Sequence, residues 1–196
     1  MKIKILQIAS VLTLTALILT AACTDTSGQD DTEVSGYIQD LYSDDQETVT
    51  NAVKALIAYG DDAIDPLIQV FSSGDQEASI YAATALVEIG EPAIEPLIGN
   101  LGSDNEDLRN WISVTLAGMG TTVVPDLIDV VNTGNEIEKE QAALTLIRIG
   151  EPALPLLNLE LNTNPDADRE EIISVIRSIQ ATQSLQERLN ITAEAE

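Results

Sequence analysis

Tyr81-Ala-Ala-Thr-Ala-Leu-Val-Glu-Ile-Gly90-Glu-Pro-Ala-Ile-Glu-Pro-Leu-Ile98 decides the fold, because its pattern recurs at one spacing on both sides. The glycines ending its first half are Gly60, Gly90, Gly120 and Gly150, 30 residues apart each time. A period of roughly 20–50 residues marks stacked units, each too small to bury its own apolar face. Four residues before each glycine stand Leu56, Leu86, Leu116 and Leu146, with Ile176 in a fifth copy. Eight before stand Ala52, Ala82, Ile112, Ala142 and Ile172, and one before stand Tyr59, Ile89, Met119, Ile149 and Ile179. These offsets fall on one helical face, so each block predicts an amphipathic helix with a single buried stripe. The alanines let a neighbouring helix come close. Glycine is expected to end the helix in a left-handed conformation that only it adopts without strain.

After each glycine a short turn leads to Pro66, Pro96, Pro125 or Pro155, expected at the first position of a second helix, where a missing N–H costs nothing. Asp65 and Glu95, just before the first two prolines, are expected to favour that helix start. Leu67, Ile68 and Phe71, and their counterparts in the later copies, predict the buried side of a helix of about two turns. Pairs are expected at about 46–73, 76–102, 105–132 and 136–161, with first helices capped near Asp45, Asp75, Asp104 and Asn135. Tyr37, Ile38 and Leu41 predict a lone second helix capping the array. At the other end Ile172, Ile173, Ile176 and Ile179 keep the stripe, but Gln180 replaces the glycine, and a separate short helix is expected over 184–190.

Helix, glycine, turn, proline, helix at this period resembles the HEAT-like repeats of the family named after phycobilisome lyases. The residues that carry the likeness are Ala82-Ala83-x-x-Leu86-x-x-Ile89-Gly90-x-Pro92-Ala93 and Pro96-Leu97-Ile98, and it covers roughly residues 46–180. Family members also tend to carry an arginine eleven residues before the glycine; Arg109, Lys139 and Arg169 fit, while Val49 and Ser79 do not. The resemblance implies an all-α fold, an alpha-solenoid of about five HEAT-like helix pairs, whose second helices line the inner surface. Gln69, Asn100, Asp129 and Asn158 would then face a ligand. That row is polar and mildly acidic, unlike a pocket for a pigment.

The chain carries 9 Lys and Arg against 33 Asp and Glu, a net charge of -24. Lys2 and Lys4 precede any acid, so a chain beginning at Cys23 holds 7 basic residues and a charge of -26. Such a surface repels phosphates, which argues against nucleic acid and favours a basic protein partner, although acidity also serves solubility alone. With no histidine and one cysteine, a Cys/His metal site, a Ser-His-Asp triad, a Cys-His pair and an internal disulfide are all excluded.

A short positive start, Met1-Lys-Ile-Lys4, an apolar run from Ile5 to Leu19 and the small residues before Cys23 read as an export signal. The junction looks like a prokaryotic lipobox, in which Cys23 would receive lipid and become the first residue. Residues 23–32 then read as a flexible tether, 33–190 as the solenoid and 191–196 as a frayed tail. The expected address is the cell envelope, anchored to a membrane on its extracytoplasmic side.

Carboxylates cluster at Asp44-Asp45 with Glu47 and at Asp61-Asp62 with Asp65, but no Asp-x-Asp-x-Asp-Gly calcium loop exists. They read as caps and solvated surface, with no metal, no cofactor and no catalytic carboxylate pair expected. Tyr81 and Trp111 stand nine before their glycines, where the other copies have Asn51, Gln141 and Glu171. They form either a partner patch or a packing contact, with each other or with the loop above. The whole reads as a monomeric, lipid-anchored module that binds a protein and has no catalysis of its own. The family resemblance supplies the alternative of a lyase-type enzyme or subunit acting on a bilin-like chromophore.

Overall fold

The computed structural model describes residues 27–193, with side-chain surroundings for residues 32–185. The chain divides into Met1–Glu33 and Val34–Glu196, and all the repeats lie in the second unit. The described elements are helices α1 (Ser27–Asp40), α2 (Gln46–Tyr59), α3 (Asp61–Val70), α4 (Gln76–Ile89), α5 (Ile94–Gly99), α6 (Glu106–Gly118), α7 (Val124–Thr133), α8 (Glu136–Ile149), α9 (Leu154–Thr163) and α10 (Arg169–Ala193). Single 3-10 turns precede α5, α7 and α9. The first helices α2, α4, α6, α8 and α10 pack in sequence, one on the next, which makes this an all-α solenoid. α1 begins at Ser27, within the segment expected as a tether. Tyr37 and Ile38 pack on the core beside the buried Leu41.

Each first helix starts at a side-chain cap. The N–H of Thr48 donates to Asp45 at 3.1 Å, that of Ala78 to Asp75 at 2.9 Å and that of Leu108 to Asn105 at 3.2 Å. Asn135 forms a reciprocal capping box with Glu138. The third cap is therefore Asn105 and not Asp104, one residue on, where the 30-residue period places it. A serine two residues earlier, Ser43, Ser73 or Ser103, accepts the N–H of the cap residue at 3.1, 3.1 and 3.2 Å. Hydroxyl and amide donors from Thr48 hold the Asp45 carboxyl below its ordinary value.

The glycines do have positive φ, but not the left-handed helical conformation. Gly60, Gly90 and Gly150 have φ of 59, 80 and 77° with ψ of -121, -133 and -141°. This is the mirror image of the extended region, closed to side chains more strictly than the expected cap conformation. The space around the Gly90 Cα is open, so a Cβ there would meet no neighbour and only the backbone objects. Gly90→Ala is expected to destabilise by about 1–3 kcal/mol in urea melts. Gly99→Ala, in ordinary helical backbone with equally open space, is expected to be neutral or slightly stabilising.

The turn after glycine is already helical, which corrects the expected proline positions. The N–H groups of Ala63, Ala93 and Ala153 donate to the carbonyls of Gly60, Gly90 and Gly150 at 3.1, 3.0 and 3.0 Å. These alanines, with Val123 in the third copy, are fully buried. Pro125 and Pro155 thus stand second in their α-helices, Pro96 third, and Pro66 inside α3. None of the second helices has a side-chain cap, so Asp65 and Glu95 do not act as caps. Their starts follow directly from the preceding helix through glycine, and few donors are left to satisfy.

The single-stripe expectation also fails. α4 buries Ala78, Ser79, Ala82, Ala83, Ala85 and Leu86, a face far wider than one stripe, because it lies between α2 and α6. Polar residues on the second face are satisfied internally: the Thr145 hydroxyl lies 2.7 Å from the Gln141 carbonyl and 2.9 Å from Ser113 Oγ across α6 and α8. The fifth copy is one helix and not a pair. With neither glycine nor proline to interrupt it, α10 runs 25 residues through Gln180 and the stretch expected as a separate helix. Val175, which the stripe omitted, is buried in it.

Candidate functional site

Two surfaces depart from a plain polar exterior. On the outward side of the first helices, Ile80 is 50% exposed, Val114 38% and Leu144 47%, on α4, α6 and α8 in turn. Between α4 and α6 lies an apolar cleft of about 310 Å³, walled by Ile80, Ala83, Val87, Trp111 and Val114. Trp111 is half-buried at its edge, and its ring stacks on the fully buried Phe71 with centroids 6.0 Å apart and planes 16° from parallel. Tyr81 is also half-buried, and its hydroxyl donates to Glu77 at 3.1 Å on the same helix. The structure thus pairs Trp111 with Phe71, two copies earlier, rather than with Tyr81.

On the side of the second helices, α3 meets α5 and α7 meets α9, while a groove of about 420 Å³ opens between α5 and α7. Its floor is apolar, from the buried Ile94 and the half-buried Ile98 and Val130. Its rim is acidic, from Glu91 and Glu95 on one side and Asp126 and Asp129 on the other, all exposed. α5 itself is only six residues long.

The expected inner row is brought together only in part. Asp129 lines the groove, and Gln69 is exposed on α3. Asn100 and Asn158 instead donate to the carbonyls of Pro96 and Leu154, four residues back, at 2.9 and 2.8 Å. Cys23, expected to bear lipid, lies outside the described residues. Among those residues no single helix is long and apolar enough to cross a membrane, and no metal-holding cluster of Asp and Glu occurs.

The basic positions before the glycines anchor chain turns. Arg109 donates to the Ser103 carbonyl and Arg169 to that of Leu161. Lys139 Nζ meets Asp168 at 2.9 Å, tying α8 to the start of α10. Asn132 extends this tie: its amide donates to Glu160 at 2.8 Å and its oxygen accepts the N–H of Asp168 at 2.9 Å. Lys139, and after it the Glu171 N–H, hold the Asp168 carboxyl below its ordinary value of 3.8. A carboxylate with a lowered folded pKa contributes stability above its unfolded pKa and loses it as pH falls through the folded value. Asp168→Asn is therefore expected to cost under about 1 kcal/mol at neutral pH, the pair being partly exposed. The difference from wild type should vanish in melts well below pH 3.8.

Residues 34–117 match the family described as HEAT repeats. Over that stretch the chain is similar to HEAT repeats. The HEAT-like period continues beyond the match, since α8 and α9 repeat the cap, glycine and buried alanine of the earlier copies. No curated protein matches the chain. Among solved structures, a "Crystal Structure of Engineered Protein" from the Northeast Structural Genomics Consortium matches at 18% identity, with a TM-score of 0.29. It covers 76% of this chain and 79% of that one.

Proposed function

We propose that this chain is a lipid-anchored, extracytoplasmic scaffold that holds a protein partner on its HEAT-like repeats, with Cys23 as the lipid-bearing residue and no catalysis of its own. The repeats are of the phycobilisome-lyase HEAT-like kind in architecture only. One observation carries the reading: on a chain this acidic, two successive first helices expose Ile80 and Val114 on the walls of an apolar cleft edged by Trp111. Contiguous exposed apolar side chains with an anchored aromatic are the usual makings of a protein interface.

Intact mass and membrane fractionation of wild type beside Cys23→Ala test the anchor. Wild type should begin at residue 23 with lipid mass added, and the variant should leave the membrane or keep its signal. Retention of residues 1–22 in wild type would refute the address. Cross-linking in intact cells tests the interface. Ile80→Asp should lose the cross-linked partner while changing stability by under about 0.5 kcal/mol, since the side chain is half in water already. An unchanged cross-linking pattern would remove the apolar row from the interface.

A further inference from the structure

We propose that the groove between α5 and α7 receives a cationic amphipathic segment of a partner polypeptide, its apolar side laid on Ile94, Ile98 and Val130 and its lysines or arginines reaching Glu91, Glu95, Asp126 and Asp129. This rests on the scaffold reading and assigns it a second contact surface, on the opposite kind of helix from the apolar row. Ile98 and Val130 are only half-covered by their own repeats, and about 420 Å³ lies above them, enough to take a row of aliphatic side chains. A segment entering must bring apolar groups to cover that floor, as an amphipathic helix does when laid in a groove.

The rim decides the sign of the segment's charge. Two carboxylates stand on each side and no lysine or arginine lines the groove. None of the four carboxylates takes part in a described side-chain hydrogen bond or ion pair; the ion pair described in the repeats is Lys139 with Asp168. Unpaired like charges facing one another across a groove repel until a cation comes between them. A basic segment therefore gains on both sides, while an acidic one is rejected, and a chain of net charge -24 draws the basic one in from a distance. Thr122 and Thr133, also at the rim, add hydroxyls but no charge.

The test uses the folded chain and three synthetic peptides, with binding followed by fluorescence anisotropy. One is an amphipathic helix of leucine and lysine, the second has glutamate in place of lysine on the same apolar pattern, and the third is oligolysine. The first should bind, the second should not, and oligolysine should bind at least about tenfold more weakly because it leaves the floor wet. Glu95→Lys with Asp126→Lys should weaken the leucine-lysine peptide by about tenfold or more. Asp44→Lys with Asp61→Lys, an equal charge change outside the groove, should weaken it by less than about threefold, as distant charges are screened by salt. Equal weakening by both pairs, or equal binding of oligolysine, would show a diffuse charge effect and overturn the groove. No binding of the first peptide overturns it too. Should partner cross-linking through Ile80 persist in that case, the scaffold reading stands and only the groove is lost.

Discussion

Leu116→Ala is expected to lower the stability of the repeat unit by about 3–4 kcal/mol, within the range for fully buried leucines. Leu116 has no exposed surface, and α6 is held between α4 on one side and α8 on the other. The missing atoms would leave a void that neither neighbour can fill, since both are pinned by their own caps and glycines. In a solenoid, stability is roughly a sum of repeat and nearest-neighbour terms, so damage to a central repeat weakens two interfaces together. Urea melts followed by circular dichroism should therefore show a lower midpoint together with a broader or two-step transition. Leu159→Ala, at a residue 55% exposed, should move the midpoint by under about 0.5 kcal/mol. A loss below about 1 kcal/mol for Leu116→Ala would mean that α6 is not packed on both faces as described.

Trp111→Ala is expected to cost about 3 kcal/mol, the low end for a large aromatic because the ring is half-buried. The cost arises at Phe71, which has no exposed surface and would lose the ring stacked on it. Trp111→Phe should recover most of the loss, since it restores an aromatic face to Phe71. This is the chain's one tryptophan, so the alanine variant must be followed by circular dichroism rather than fluorescence. Retained stability together with lost partner cross-linking would reverse the assignment and make Trp111 a contact residue first.

Much of the architecture was open to reading because a repeat states each of its rules several times. Asp45, Asp75 and Asn135 as caps, and the helix pairs themselves, follow from spacing. Asn105 follows from the same spacing, although its neighbour Asp104 is also a good capping residue by type. Ser43, Ser73 and Ser103 lie at the same interval and mark the same turns. Ala63, Ala93 and Ala153 are flanked by Gly and Pro, which predicts a turn, yet they are among the most buried side chains. Their burial comes from the glycine's ψ, which turns the chain straight back onto the helix it has just left.

The candidate surfaces were less legible. Trp111 stood out by position, but its partner Phe71 is 40 residues earlier, in another copy and another helix class. The groove between α5 and α7 has no motif, since it arises from which carboxylates happen to face one another across copies. Asn100 and Asn158, promising as an exposed row, spend their amides on their own helix carbonyls, a local bond that spacing alone does not exclude.

The period, the helical class, the first-helix caps, the aliphatic core positions and the absence of histidine chemistry can all be read from the residues alone. Each of these is a property of residues within one copy, where the 3.6-residue turn and the backbone demands of glycine and proline act over short distances. Spacing does not give which side of each helix is covered twice, where Trp111 goes, how Lys139 and Asn132 hold α10, or where a groove remains open. Those are set by how one copy leans on the next, and that depends on side-chain volumes and polar ties summed across two copies.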